Sequence, residues 1–337
     1  MKLSILIPMY NAQDFISRCL DSLLQQKLNY DEYEILVMDD GSTDKSVEIV
    51  EEYAKQHSQI HLYTKKSEGA YSTRNRLLPL AKGEYIYNVD ADDYVKPYTL
   101  HRFLEIGVKN KVDLIGFKTS VTKSVEIPDD INDSTVIESP EIISGIEFLK
   151  KYRDFRVEIW WYLIRREFLE RNQFKFSDNE YNADVIFTIN CYLEATKVMF
   201  FPVVNYFYYQ SPHSIMRSND QEKNIKRIEY SYDMIMDFSK LINKISDSFD
   251  IQYKGDILKN LSFRRDTFLF FLLIRIIRTK FKTEKLRRYI NSLKALKAYP
   301  LKNFMCKEHN TLNYKTLLFI INHSDLLKLA NRLSNIK

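Results

Sequence analysis

Short apolar runs and longer stretches of helical spacing alternate through the first 120 residues. Residues 3–8 (LSILIP) form an apolar run with β-branched isoleucine, closed by Pro8 and Asn11, which predicts a buried strand. Asp14 then precedes apolar positions at Ile16, Cys19, Leu20, Leu23 and Leu24, the three-and-four spacing of one helix face. The cycle repeats. Residues 34–38 (EILVM) predict a second strand running into Asp39-Asp40-Gly41. Ser42 or Thr43 can cap the helix after it, whose stripe is Val47, Val50 and Ala54. Residues 60–63 predict a third strand, and 70–80 a helix that Pro79 must end or kink. A fourth strand over 85–89 is closed by Asp90-Ala91-Asp92-Asp93. Pro97 suits the first turn of a helix to about Lys109, and 113–117 give a fifth strand. A polar, irregular stretch over 118–141 follows. Helices are then expected over 166–172 and 184–195, strands over 198–201 and 206–209, and long helices after Met216.

This order predicts an α/β fold with a mainly parallel sheet covered on both faces. In such sheets ligands bind outside the carboxyl ends of the strands. Three polar clusters fall at those ends: Pro8-Met9-Tyr10-Asn11, Asp39-Asp40-Gly41-Ser42, and Asp90 to Asp93. Acidic residues dominate them, so the site suits a metal cation, a hydroxyl-rich ligand or both. Hard carboxylate oxygens favour Mg²⁺ or Mn²⁺, and no Cys/His cluster offers a zinc site. The chain has no GxGxxG and no GxxxxGK[ST], and the turn after the first strand lacks glycine. A dehydrogenase-type dinucleotide fold and a P-loop are thereby excluded; a nucleotide bound here is held by side chains and a metal.

Composition and charge add three things. Of the 337 residues 45% are hydrophobic, which excludes a disordered chain and allows one large domain or two ordinary ones. The apolar run 268–274 stops at Arg275, short of the ~18–20 residues of a membrane span, and the first residues are too short an apolar stretch for a secretory signal. Cys19, Cys191 and Cys306 lie far apart, as expected of free thiols in a reducing compartment. Charge divides the chain. Residues 1–215 carry 25 Lys/Arg and 33 Asp/Glu, net −8, whereas 216–337 carry 25 and 12, net +13. The second region is therefore drawn to something anionic. Its segment 263–280 joins an all-round apolar stretch to Arg264, Arg265, Arg275, Arg278 and Lys280: either a buried helix with basic ends or one lying in a bilayer interface. No nucleic-acid-binding motif accompanies the charge.

Four motifs taken together resemble the family 2 glycosyltransferases of the GT-A fold: residues 4–11 (SILIPMYN), 37–44 (VMDDGSTD), 81–86 (AKGEYI) and 90–93 (DADD). The likeness continues more weakly through 160–176 (WWYLIRREFLERNQFKF) and 206–216, and stops beyond about 216. It implies a GT-A domain over 1–215; the charge pattern and helical spacing add, over 216–337, a basic helical region expected to dock on a membrane surface or self-associate. The implied reaction is an inverting transfer from a nucleoside diphosphate sugar, with UDP as carrier, to a hydroxyl of a glycan or lipid-linked acceptor. Its setting would be surface-polysaccharide or glycolipid assembly on the cytoplasmic face of the membrane.

By the same resemblance, Pro8 and Tyr10 flank the base, Asp39 hydrogen-bonds it, and Asp40 supports that loop. Asp90 faces the ribose, Ala91 follows within the motif, and Asp92 holds Mn²⁺ or Mg²⁺. The implied general base is Asp184, although the Glu that precedes it in the family is replaced by Ala183. His213 falls where related enzymes bring a side chain toward the diphosphate or the metal, or is a histidine of a surface turn; Arg217 either neutralises phosphate or is a solvated charge. One of Trp160 and Trp161 is expected to offer a platform to a sugar ring, the other to lie in the core. Arg74 and Asn75 match a family Arg-Asn pair expected to be structural. Two rival readings stand beside this one. A sugar-nucleotide-binding protein with lapsed chemistry is motivated by Ala183; a nucleotidyltransferase would need a Gly-rich loop where residues 8–15 have no glycine.

Overall fold

The computed structural model of the protein describes residues 1–124, 126–127, 140–153, 155–177, 183–210, 221–247, 254–279, 281–302, 304 and 310–336. Two compact units divide the chain, one of Met1–Phe148 with Asp154–Ser214, the other of Leu149–Arg153 with Ile215–Lys337.

The first unit is built on a mixed nine-stranded sheet. Its first half follows the expected alternation: β1 (Leu3–Met9), α1 (Ile16–Leu24), β2 (Tyr33–Asp39), α2 (Ser46–Gln56), β3 (Ile60–Thr64), α3 (Ala70–Leu77) and β4 (Tyr85–Asn88). β3, β2, β1 and β4 pair in parallel in that spatial order, so the ends of β1, β2 and β4 face the same way. The central strands are buried on both faces, as parallel strands under helices must be, whereas β3 at the edge is largely exposed. α1 covers one face with Ile16, Cys19, Leu20 and Leu23, all fully buried. Pro79 falls in a 3₁₀ turn, Leu78–Leu80, that ends α3 early, because its ring fixes φ and removes a helical donor.

The second half of this sheet departs further from the pattern. β5 (Tyr94–Val95), α4 (Leu100–Asn110), β6 (Leu114–Thr122), β7 (Ile142–Ile143), α5 (Gly145–Lys151), β8 (Tyr162–Arg165), α6 (Arg166–Asn172), α7 (Ala183–Glu194) and β9 (Val198–Tyr209) complete the order. α4 begins after Pro97, not at it: Tyr98 has φ +62, which no right-handed helix accommodates, and Gln26 Oε1 accepts the Thr99 and Leu100 N–H groups. β6 runs into the stretch expected to be irregular because β9 supplies a parallel partner as far as Thr122↔Tyr209. The two short strands expected around Pro202 are one twelve-residue strand. The register with β6 shifts between Phe117 and Thr119, and Pro202, which has no N–H to give, sits in that interruption of the ladder. β8 joins the two halves by antiparallel pairing with β4 and β6.

Polar clamps fix the strand starts. Ser4 Oγ donates to Glu34 at 2.6 Å and accepts the Gly83 N–H at 2.8 Å, all in the buried base of the sheet. Asp113 pairs with Arg165 at 2.6 Å and accepts the Thr196 hydroxyl and N–H groups. Burial works against its charge, but these partners outweigh it and hold the carboxyl below the usual range. An aromatic core lies under β6 and β9: Tyr192 stacks on Phe148 at 4.5 Å and on Trp161 at 5.7 Å.

The second unit is helical: α8 (Gln221–Asp247), α9 (Lys254–Arg278), α10 (Thr283–Ala295), α11 (Leu312–Asn322) and α12 (Ser324–Ile336). The apolar run at 268–274 is mostly buried in α9, with Leu269, Phe270, Leu272 and Leu273 covered and Ile276 continuing the same face. The buried alternative for this segment therefore holds. Its Arg265 is also buried and donates to the neighbouring Asp266, which in turn accepts the Lys302 N–H at 3.0 Å. Cys19 and Cys191 are buried free thiols; Cys306 lies outside the described residues.

A Cβ at Gly83 would meet Leu3 C and Ser4 N at 2.4 Å, both rigid backbone of the central strand. Gly83→Ala is therefore expected to destabilise the protein by about 1–3 kcal/mol, as overpacking does. Thermal unfolding followed by circular dichroism checks it, and an unchanged midpoint would contradict the packing described.

Candidate active site

The crevice begins at the turn after β2. Asp39 is buried and accepts the N–H of Gly41 at 3.0 Å and of Ser42 at 3.1 Å through Oδ2. Gly41 has φ +82, a conformation that favours glycine, so the tight turn depends on it. Asn11 ties this turn to the end of β1: its N–H donates to Ser42 Oγ and its Oδ1 accepts the Thr43 N–H, both at 2.8 Å. Between them Tyr10 stands 51% exposed, a ring face open to a ligand, and Pro8 precedes it half-buried.

Asp40 turns the other way, into the protein. It pairs with Lys65, both side chains 7% exposed, and accepts the N–H groups of Glu68 at 2.8 Å and Gly69 at 2.9 Å. Burial opposes its charge, yet Lys65 and the two N–H groups prevail and depress its pKa. Gly69 immediately precedes α3, so Asp40 sets where that helix starts.

From that start, Tyr71 and Arg74 stand one turn apart on α3. Arg74 is buried and makes an ion pair with Asp90, and its guanidinium lies 5.3 Å from the Tyr71 ring. The Tyr71 hydroxyl is in turn paired with the carboxyl of Asp184, in the first turn of α7. Asp184 thereby stands within the fields of Arg74 and Asp90, and of Glu158 as well. Burial, then Glu158, push its pKa up to about 7, with Tyr71 and Arg74 pulling in the opposite direction. Asn75 has a separate role. Its amide donates to Phe176 O and accepts Phe176 N–H, pinning the chain that leads toward α7.

The Asp90–Asp93 turn is held from three sides. Arg18 of α1 donates to Asp92 O at 2.6 Å while its guanidinium lies 4.4 Å from the Tyr209 ring and 4.8 Å from that of Tyr94. Tyr206 of β9 donates to Asp93, whose other oxygen accepts the Tyr209 N–H at 2.7 Å. Ligand oxygens of Asp90, Asp92 and Asp93 all lie within 4.8 Å of one another. Three carboxyls so close cannot all ionise comfortably. Burial, then the charge of Asp90, push Asp92 to about 6, and Asp93, fully buried beside both, is raised well above the usual range. A divalent cation would relieve that crowding, and the all-oxygen donor set suits Mg²⁺ or Mn²⁺. Ala91 is buried within the turn.

The structure thus gathers Asp90, Asp92 and Asp184 around Arg74, with Asp39, Asp40 and Tyr10 at the neighbouring strand ends. His213 and Arg217 lie outside the described residues. The expectation that one tryptophan offers an open platform is not met. Trp161 is 2% exposed in the aromatic core, and Trp160 is 5% exposed, stacked on Tyr206 at 4.6 Å. Three participants went unnoticed in the sequence: Tyr71, Arg18 and Glu158. Tyr71 was findable, being three residues before Arg74 on the same helix face; Arg18 and Glu158 reach the site only through tertiary packing.

The sheet order, the crevice at its carboxyl ends and the acidic turn after β4 together define a GT-A-type fold. The model of the family described as "Glycosyl transferase family 2" matches residues 4–173, and the chain belongs to that family. Among curated relatives, it is 34% identical to a glycosyltransferase EpsJ of Bacillus subtilis over 63% of this chain and 62% of that one. It is 33% identical to a poly(ribitol-phosphate) β-glucosyltransferase of Bacillus spizizenii over 62% of this chain but only 32% of that one. The chain thus spans less than two thirds of the length of these two relatives. A crystal structure of Staphylococcus aureus TarS residues 1–349 aligns over 98% of this chain and 90% of that one, with a TM-score of 0.67 at 20% identity. That likeness concerns the fold.

Because Lys65 and Asp40 are buried together, Asp40→Ala is expected to cost about 3 kcal/mol at neutral pH by leaving an uncompensated charge. The folded-state pKa of Asp40 is depressed, so its stabilisation is full above the ordinary carboxylate range and lost as pH falls through the depressed value. Urea unfolding of wild type and variant should show a gap at pH 7 that narrows at pH 3.

Proposed function

We propose that the protein transfers a sugar from a nucleoside diphosphate donor to a hydroxyl of a glycan or lipid-linked acceptor, with inversion at the anomeric carbon and with a divalent cation. The observation that carries this reading is the meeting of Asp184 with the Asp90–Asp93 turn across α3, in a chain of this family. UDP is the favoured carrier. Support comes from the relatives: one TarS structure is of a complex with UDP-GlcNAc, and a mannosyltransferase from Pyrobaculum calidifontis, TM-score 0.55, was solved with GDP-Man and Mn²⁺. The poly(ribitol-phosphate) specificity in the relatives' names favours a hydroxyl-bearing polymer as acceptor.

In this reading Tyr10 stacks on the base with Pro8 beneath it, and the Asp39 turn receives its edge. Asp90, held by Arg74, faces the ribose. Asp92, with Asp90 and Asp93 nearby, would hold Mg²⁺ or Mn²⁺, which would supply charge stabilisation to the diphosphate leaving group. Asp184 accepts the proton of the acceptor hydroxyl as its oxygen forms the new bond to the anomeric carbon; the bond from that carbon to the diphosphate breaks. A base must be ionised to act, and Tyr71 and Arg74 oppose the burial that would keep Asp184 protonated. Ala183 is buried at the start of α7, so the position before the base contributes no carboxylate here.

Two substitutions separate binding from chemistry. Asp184→Asn should leave donor binding near wild type and slow transfer by roughly 10²–10⁴-fold, the worth of a positioned base. Asp92→Ala should weaken Mn²⁺ and donor binding together, read by calorimetry. Transfer is scored by product mass over a panel of nucleotide sugars; equal turnover in Asp184→Asn removes it as the base.

The pH dependence has a definite sign. Transfer should rise with pH through about 7 as Asp184 loses its proton, then level off. In Asp184→Asn the residual rate should lose that limb.

A further inference from the structure

The charge excess of the second unit sits around an apolar surface that its fold leaves uncovered. On α12, Leu326, Leu329 and Leu333 are 38%, 53% and 57% exposed. At 3.6 residues per turn they fall within roughly 60° of one another around the axis. Leu327 and Asn331, the fully buried positions of this helix, lie on a different side, where Asn331 donates to Phe281 O at 3.0 Å. α11, one residue away in the chain, repeats the arrangement with Leu312 and Phe319 two turns apart and 78% and 57% exposed. Five large apolar side chains on consecutive helices exceed the scattered exposure normal on a soluble surface.

Cations border this surface. Asp325, next to Leu326, pairs with Lys328 at 3.0 Å and also feels Lys294 and Arg287 of α10. Arg287, Arg288 and Lys294 of α10, Lys315 of α11 and Arg332 of α12 are all exposed. Residues 282–337 carry twelve Lys/Arg against three Asp/Glu, net +9. A second copy of so cationic a surface would repel the first, whereas an anionic lipid surface complements both its charge and its apolar strips. Among the described residues no helix is long and apolar enough to cross a membrane; exposed strips on short helices suit contact in the plane of one. α9, the segment whose composition pointed to an interface, has most of its apolar run buried, so it is not that helix.

We propose that α11 and α12 form a lipid-docking surface, with Leu312, Phe319, Leu326, Leu329 and Leu333 entering the interface of an anionic bilayer and the α10 cations resting among its headgroups. It is independent of the chemistry assigned to Asp184. The test uses the full chain and sedimentation with vesicles of phosphatidylcholine alone or mixed with phosphatidylglycerol. The protein should bind the mixed vesicles, release them at high salt, and leave the neutral ones free. Leu329→Glu with Leu333→Glu, both at exposed positions and with folding verified by circular dichroism, should lower partitioning at least about tenfold. Arg287→Glu with Lys294→Glu should do the same. Undiminished binding of the leucine variant, or no binding of wild type to phosphatidylglycerol, overturns the proposal. So does light scattering that finds an oligomer which the leucine variant converts to monomers, since the surface would then join copies of this chain.

Discussion

One carboxylate decides where the halves of the crevice stand relative to each other. Asp40 leaves the tip of β2 pointing inward, satisfies Lys65, and receives the N–H groups of Glu68 and Gly69 just ahead of α3. The start of that helix is thus fixed to the sheet by charge-assisted hydrogen bonds in a buried setting, which are shorter and stronger than neutral ones. Everything carried by α3 inherits the placement. Arg74 reaches Asp90 beyond β4, Tyr71 reaches Asp184 on α7, and Asn75 fastens the chain at Phe176. The ends of β2 and β4 and a distant helix are thereby linked through α3.

The electrostatics of the crevice follow from this assembly. Four aspartates, Asp90, Asp92, Asp93 and Asp184, share a small volume with one buried guanidinium, Arg74, among their neighbours. Asp92 and Asp184 are both displaced upward, first by burial and then by neighbouring carboxylates. Arg18 contributes differently: it bonds a backbone carbonyl of the turn and lies over aromatic rings, so it fixes the turn's shape while its charge favours the ionised form of Asp92.

The parallel half of the fold was legible because each of its elements carries a local signal. β1, β2 and β4 are short apolar runs ended by turn residues, and α1 has its stripe at helical spacing. Legibility fades where pairing partners are remote in sequence. β5 and β7 have two residues each, too few for any periodicity, and β8 exists because β4 and β6 flank it. Pro202 signalled a break that a register shift absorbs instead. In the crevice, motif residues at strand ends could be found, but Arg18 and Glu158 carry no local mark of their reach. The tryptophans misled for a related reason: an indole suits a sugar face and a core equally, and Phe148 and Tyr192 had already claimed Trp161.

β9 links two regions that look unrelated in the chain. Its first residues lie beside the aromatic core, and its last present Tyr206 and the Tyr209 N–H to Asp93. Along it, Tyr206 and Tyr208 face Trp160 while Phe207 faces Tyr94. The alternation leaves no slack: losing one residue between Pro202 and Tyr206 would bring Phe207 into the place of Tyr206, a bare phenyl ring for the hydroxyl at Asp93, and gaining one would put Asn205 there. Evolution can therefore repaint this strand far more freely than it can resize it, and grafted segments from relatives must match its span before their composition matters.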